Sequence, residues 1–429
     1  MRARRIGWAA ACAAAAATLA ACGSSSSGGG NATGVTKTSV KVGGHFPLTG
    51  PAAPGYSNIP PAIKAYFSYI NAHGGVNGRK LQFVARDDGY NPARTVTVTK
   101  QLVLQDKIFA MLDGLGTPTH TKVVDFLNAE KVPDLFVASG CLCWNDPKKH
   151  PETFGWLTDY YREGKILGQY IARHDKGKKV AYFVQNDDFG ADGARGLDRF
   201  VPKSAVVTRQ TYEPGNTDIG PQMSKIKSSG AQVVASFSIP AYTALELLAG
   251  VKLNFHPQLV VSNVGADPTT LTGLLKSFSK GQAGASLIDG MVTDGYLPST
   301  SDTSDSWIKL FRRIHDRYIP KVPFDGNVEF GMASAYTFAN ALSQAGKNPT
   351  RESIVKAIED KKMSGAGLVP FAYSADDHSG FEGVQMGSIK GGKLTLKGQP
   401  FITDDGTGAP KPYTGGHPQA PSDGVPPQG

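Results

Sequence analysis

Residues 39–92 read SVKVGGHFPLTGPAAPGYSNIPPAIKAYFSYINAHGGVNGRKLQFVARDDGYNP. Val40 and Val42, flanked by glycines, predict a short buried strand that stops at Pro47. A loop rich in Gly and Pro follows. Pro60 and Pro61 fall where a first helical turn tolerates proline, because that turn has no amide partner to lose. Ile63, Phe67 and Ile70 recur at helical spacing and make one apolar stripe. His73-Gly74-Gly75 ends the helix, since glycine takes the left-handed C-terminal conformation cheaply. Asn77-Gly78 is a tight turn, and Leu81, Phe83 and Ala85 alternate along the next strand. Strand, helix, strand is the unit of a parallel sheet. Ligands of such sheets bind at the carboxyl ends of the strands. The loop 47–57 is therefore the first candidate ligand-facing surface.

The alternation continues outward from this stretch. Asn91 caps and Pro92 opens a helix to about residue 105, and 108–112 is a short buried strand. The loop 114–118 follows, then a helix over 119–129, a strand over 135–138 and the exit Ser139-Gly140-Cys141. Both loops leave strands of successive units, so both can face one cleft. A second series starts near Phe154, with strands at 180–184, 206–211, 233–237 and 259–262 and helices between them. It forms a second lobe, and the alternation predicts parallel sheets in both. Three more helices span about 304–317, 328–345 and 350–360. Residues 380–401 read as paired strands turning at Gly391-Gly392. Residues 403–429 are rich in Gly and Pro, carry no buried pattern and read as a disordered tail.

The opening stretch carries a resemblance. P-L-T-G, a helix closing in I-N-A-x-G-G-V-N-G-R-K-L, a strand and R-D-D-x-x-N-P resemble the start of branched-chain-amino-acid-type solute-binding proteins. These are extracytoplasmic receptors of ABC importers with the type I periplasmic-binding fold, an α/β architecture of two Rossmann-like lobes. Asn145-Asp146-Pro147, Thr153-Phe154-Gly155, Glu163-Gly164, Asp188-Phe189-Gly190 and residues 214–218 continue the likeness in order to about residue 400. The resemblance implies three crossings between lobes, near 155–158, 287–291 and 365–373. It places 38–156 and 290–365 in lobe 1, and 157–289 and 366–402 in lobe 2.

The chain has 429 residues, enough for two sizeable cores. Its formal charge is +9, and Arg2, Arg4 and Arg5 of that surplus open the chain. The rest is spread out, no nucleic-acid-binding motif appears, and no nucleic-acid partner is expected. The arginines, the alanine-rich core 6–18 and Leu19-Ala20-Ala21-Cys22 resemble a lipoprotein signal over 1–21, with Cys22 as the lipidated residue and 22–37 as a flexible tether. An ordinary secretory signal cleaved after Ala21 is the alternative. The membrane is thus expected as a partner through the lipid. Of the four cysteines, Cys141 and Cys143 remain for the folded protein, as a disulfide or as separate thiols. No cluster with metal-ligand spacing accompanies them, and neither metal nor cofactor is expected.

No catalytic signature appears: there is no G-x-S-x-G, no phosphate loop, no H-E-x-x-H and no G-x-G-x-x-G. Asp87-Asp88 and Asp187-Asp188 follow strands, where carboxylates cap turns and helices. Binding rather than catalysis is expected. Backbone amides and hydroxyls suit an anionic ligand group, and Gly116, Thr117, Ser139 and Gly140 supply both. The resemblance implies that these two loops hold a ligand carboxylate. From the second lobe, Tyr160 and Tyr161 offer aromatic cover, Ile239, Pro240 and Val264 an apolar wall, and Tyr296 a residue near a crossing. Two acids that amino-acid binders of the family use for an ammonium are replaced, by Tyr160 and by Asn263-Val264. Asp159, one residue earlier, can restore one of them. The expected ligand is a small carboxylate or amino-acid-like molecule with an aromatic or aliphatic body. The expected function is the solute receptor of an ABC importer, with its permease subunits as partners. A sensor of the same fold signalling to a membrane partner is the alternative.

Overall fold

The structure, a computed structural model, describes residues 32–360 and 363–428. The signal segment, Cys22 and most of the expected tether lie outside the described residues. The first lobe begins with β1 (Ser39–Phe46), α1 (Ala53–Tyr56), α2 (Ile59–Ala72), β2 (Lys80–Asp87) and α3 (Pro92–Leu104). It continues through β3 (Met111–Leu112), α4 (Thr117–His120), α5 (Val124–Ala129), β4 (Asp134–Val137) and β5 (Thr153–Gly155). The second lobe contributes α6 (Tyr160–His174), β6 (Val180–Gln185), α7 (Asp188–Leu197), β7 (Val206–Tyr212), α8 (Gly220–Ser228) and β8 (Val233–Phe237). α9 (Pro240–Leu253), β9 (Gln258–Val261), α10 (Pro268–Phe278) and β10 (Val292–Gly295) follow. The chain returns to the first lobe with α11 (Ser306–Tyr318), α12 (Gly326–Gln344) and α13 (Arg351–Asp360). It ends in β11 (Gly383–Lys390), β12 (Lys393–Leu396), β13 (Phe401–Ile402) and β14 (Lys411–Pro412).

The first sheet is parallel, in the order β2-β1-β3-β4-β5. In the second, β7-β6-β8-β9-β10 is a parallel run. β11 then adds antiparallel to β10 and carries β12 and β13. Right-handed crossover helices need both faces of a parallel sheet, which is why the central strands are buried along their length: β6 and β8 have no exposed residue. α2 starts at Ile59 with prolines in its first turn, and buries the stripe Ile63, Phe67 and Ile70. Asn91 caps α3 by accepting from the Ala93 and Arg94 amides. The β11–β12 hairpin turns through Gly391 and Gly392 at φ +58° and +71°.

Three expectations change. β10 belongs to the second sheet, because Val292 pairs with Val260 and with Ser388; the second crossing therefore follows Gly295 instead of preceding Met291. The helix expected over 119–129 is two short helices. Residues 403–428 are not an unstructured tail. β14 pairs with β13 at the edge of the second sheet, and α6 holds the start of the segment through Arg162 Nε donating to Thr403 O and Lys165 Nζ to Asp404 O. Farther on, the chain lies against the first lobe. Trp307 Nε1 donates to Pro418 O at 2.8 Å, Tyr69 OH to Asp423 O at 2.6 Å and Tyr66 OH to Gly424 O at 2.8 Å. The segment is held mainly through its own carbonyls, so it needs no periodic apolar side chains and shows none.

Candidate functional site

The crossing from β5 to α6 brings the two sheets' carboxyl ends face to face across a cavity of about 160 Å³. An apolar cavity of that order holds a benzene-sized molecule. Its wall on the first-lobe side includes Tyr56, Ile59, Tyr90, Leu115, Gly116, Thr117 and Ala138. From the crossing and the second lobe come Leu157, Tyr160, Phe189, Ile239, Asn263 and Val264. Asp294, Tyr296 and Leu297 come from β10 and the strand's exit, and Glu329 and Phe330 from the start of α12.

The Thr117 end is pre-formed. Gly116 precedes α4 at φ +99°, a conformation that suits glycine, and a Cβ there would meet the Tyr90 ring at 2.5 Å. The Thr117 and Ser139 hydroxyls are hydrogen-bonded at 2.7 Å and buried. Beneath them runs a buried polar chain. His45 Nδ1 and Asp88 are hydrogen-bonded at 2.8 Å, His120 Nε2 and Asp134 at 2.8 Å, and His45 Nε2 and His120 Nδ1 at 2.9 Å. Thr95 and Thr153 donate to the two carboxylates. This chain ties α4 to β1, β2, β4 and β5, and so fixes the loop that carries Thr117. Burial pushes the His45 pKa down.

The structure sorts the residues expected at the site. Gly116, Thr117, Tyr160, Ile239, Val264 and Tyr296 are on the cavity wall. Ser139 stands one hydrogen bond behind it, through Thr117. Gly140 is a hinge contact: its carbonyl accepts from Tyr160 N at 2.7 Å, and a Cβ would sit 2.9 Å from the Tyr160 ring. Tyr161 points away, because consecutive residues of a helix leave in different directions. Its hydroxyl donates to Gly406 O, and its ring lies under Arg195 and Lys165. Pro240 is buried in the first turn of α9 and is not part of the wall. Asp159 is spent on its own helix: it caps α6 through Arg162 N at 2.8 Å and pairs with Arg162 Nη1 at 2.6 Å. Cys141 and Cys143 are joined as a disulfide in the loop after Gly140.

Acids enter the cavity from positions the sequence reading passed over. Asn263, which stands where an acid was expected, donates through Nδ2 to Glu163 Oε1 and to Asp294 Oδ1, both at 2.9 Å. The Glu163 and Asp294 carboxyls also hydrogen-bond each other. Burial pushes Asp294 up to about 7, and burial together with the Asp294 charge pushes Glu163 well above the usual range. Both carboxyls are thus drawn toward the protonated form, and one hydrogen-bonds the other. The two family acids remain replaced at Tyr160 and Asn263-Val264, and carboxyls reach the site from elsewhere: Asp294 comes from β10, far along the chain. Glu329 and Asp267 add two more carboxyls, while the cavity wall has no Lys, Arg or His among the described residues.

Asp267 and Asp325 also fasten the lobes. Asp267 caps α10 through Thr270 N at 2.7 Å and reaches across to accept from Gly326 N at 2.9 Å. Asp325 caps α12 through Val328 N and accepts from Asn58 Nδ2 at 2.9 Å and Thr270 Oγ1 at 3.3 Å. Each acid caps its own helix and holds a donor of the facing lobe. On another edge, Leu142 N of the first lobe donates to Asp192 Oδ2 of the second at 2.9 Å.

Two sheets facing one cavity, joined by crossings and fastened by loop contacts, are the architecture of a two-lobed binding protein. Residues 39–393 match the periplasmic binding protein family. The chain belongs to that family. It is similar to an amino acid binding protein of Pseudomonas aeruginosa, with 30% identity over 179 residues, 38% of this chain and 44% of that protein. The match thus spans less than half of that relative's length. Among solved structures, the fold superposes on a fatty acid ABC transporter substrate-binding protein from Thermomonospora curvata with a TM-score of 0.75. That match has 21% identity over 88% of this chain and 96% of the other. A branched-chain amino acid ABC transporter protein from Thermus thermophilus with bound valine gives a TM-score of 0.73, at 21% identity over 87% and 98%. At such identity the likeness establishes the type I fold and leaves the ligand open. Members of this family bind and do not catalyse. Among the described residues no helix is long and apolar enough to cross a membrane.

Proposed function

We propose that this protein is the extracytoplasmic solute receptor of an ABC importer, closing its lobes over a small amino-acid-like molecule with an aromatic or aliphatic body. The observation that carries this reading is the composition of the cavity. One end presents the Thr117 hydroxyl backed by Ser139, and the walls between are largely aromatic and aliphatic. A carboxylate suits the hydroxyl end, and the body suits Tyr160, Phe189, Ile239 and Val264. The relatives support the class from two sides: one is named for amino acids and one for fatty acids, and a third holds valine. The cross-lobe bonds of Asp267, Asp325 and Leu142 support closure over the ligand, with the crossings as hinges. Delivery to permease subunits of a transporter is part of the same proposal.

The proposal extends to Cys22 as a lipid anchor, because it follows Leu19-Ala20-Ala21 and precedes a run of Ser and Gly. Changing Cys22→Ser should move the protein from the membrane to the soluble fraction, and unchanged membrane association after removal of peripheral proteins contradicts it. The receptor reading is tested by a thermal-shift screen of amino acids and small carboxylic acids. A saturable shift at 1:1 stoichiometry is expected, and a screen with no shift from either class speaks against the assigned ligand class.

A further inference from the structure

Glu329 is a carboxyl of this cavity for which the fold supplies no donor; the Thr293 hydroxyl on the same wall is also without a partner among the described residues. It lies in the first turn of α12, where a carboxylate ordinarily serves the helix amides. Here that work is done by Asp325, whose Oδ1 accepts from Val328 N. The Glu329 side chain is only 4% exposed and lines the cavity. Its oxygens accept no hydrogen bond among the described residues, and Oε1 is fully buried. A buried carboxyl without a donor is costly, and natural interiors rarely keep one without a use. Nothing cationic lines the cavity to meet it. Tyr296 and Phe330 line the same cavity as Glu329 and Asp294, so aromatic side chains share the wall with the acids.

We propose that this wall is an ammonium site: Glu329 accepts from the amine of the bound solute, whose body rests against Tyr296 and Phe330. The inference rests on the receptor reading above and names the second polar group of its ligand. Its acid comes from the first lobe, so the second-lobe acids missing at Tyr160 and Asn263 are not needed. A charged amine meeting a carboxylate makes the stronger class of hydrogen bond, and an aromatic border favours a cation over a neutral donor.

Proton balance follows from the surroundings of Glu329. Burial, with the charges of Asp305 and Asp267, raises its pKa well above the usual carboxyl range. Asp305 is itself paired with His417, and the Tyr296 hydroxyl is neutral. Burial therefore favours the acid form of Glu329, an ammonium ion beside it favours the carboxylate, and binding of an amine releases protons to the buffer.

The test is calorimetric titration of the intact protein with three probes sharing one body: phenylalanine, 2-phenylethylamine and 3-phenylpropionate. Repeating it in buffers of different ionisation enthalpy counts the protons. The two amines should bind about tenfold or more tighter than the acid, the effect of one charge-assisted bond, and should release protons. Glu329→Gln is nearly isosteric and should bring the three affinities together and abolish the release. Equal or tighter binding of 3-phenylpropionate by the native protein overturns the ammonium site alone. So does a preference for amines that survives in Glu329→Gln. Failure of all three probes to bind counts against the ligand class of the receptor reading, and this inference falls with it.

Discussion

The Thr117 end and the Glu329 wall of the cavity are built by opposite means. At Thr117 the polar groups already satisfy one another: hydroxyl to hydroxyl at 2.7 Å, with two histidines and two aspartates locked beneath. At Glu329 a buried carboxyl has no donor, and the neighbouring acids Asp267 and Asp325 find theirs across the cleft. The Thr117 end is built chiefly from the first lobe, and its polar groups are paired. The Glu329 wall draws carboxyls from both lobes and keeps one without a donor. A receptor that must both recognise and respond gains from that division, since the fixed end sets orientation and the incomplete wall couples occupancy to closure.

The strongest way to break this contrast is to damage the fixed end. Gly116→Val puts a branched residue at φ +99° and drives its Cβ into Tyr90 and the Thr119 hydroxyl. Strain of about 1–3 kcal/mol with that clash should displace α4 and abolish solute binding, while circular dichroism still reports the α/β fold. Damage to the closing wall should cost less. Asp267→Ala removes a helix cap of about 1 kcal/mol and an acceptor across the cleft. The ligand-free protein should then open further, seen as a larger radius of gyration in small-angle scattering, with affinity down roughly five- to tenfold. An unchanged scattering curve would mean that Asp267 caps α10 and does nothing between lobes. Thr117→Val sharpens the contrast at the scale of one neutral hydrogen bond, about 0.5–1.5 kcal/mol, seen as a severalfold weaker affinity for carboxylate-bearing solutes and an unchanged radius of gyration.

How far each side could be read from the sequence follows from the same difference. Gly116, Thr117 and the exit at Ser139 stand where a strand ends and a helix begins, and local spacing announces that. Glu329 and Asp294 do not announce themselves. An acid in the first turn of a helix looks the same whether it caps the helix or faces a cavity, and Asp294 reaches the site only because β10 inserts beside β9. Asp159 shows the converse: adjacent to an expected ligand position, it is consumed by Arg162. The strands β1 to β4 and β6 to β9 were legible because apolar periodicity marks buried strands and helices, whereas β5, three residues long, offered too little pattern to be read. The segment 403–428 was not legible either, because carbonyls accepting from Trp307, Tyr69 and Tyr66 leave no such pattern.

The smallest effect expected is on stability against pH. Asp294 is pushed up to about 7 and Glu246, buried over Ser236, to about 8. Each folded acid keeps a proton that the unfolded chain loses near pH 4. Their stabilisation is therefore complete below about pH 4 and is lost as pH rises through 7 to 8, by no more than about 1.4 kcal/mol per unit for each group. The melting temperature of the ligand-free protein should fall by a few degrees from pH 5 to pH 8, and Asp294→Asn should flatten part of that slope. A melting temperature that rises over this range would contradict the buried, protonated acids.

The claim on which the rest depends is that the cavity between the lobes is the solute site. Val264→Trp tests it most directly, because Val264 lies on the wall in a partly exposed turn where a larger side chain can be carried without rebuilding a core. Calorimetric titration with the tightest solute from the screen should show 1:1 binding to the native protein and none to Val264→Trp, with both proteins melting cooperatively. Native affinity in Val264→Trp would contradict the account and place the solute elsewhere.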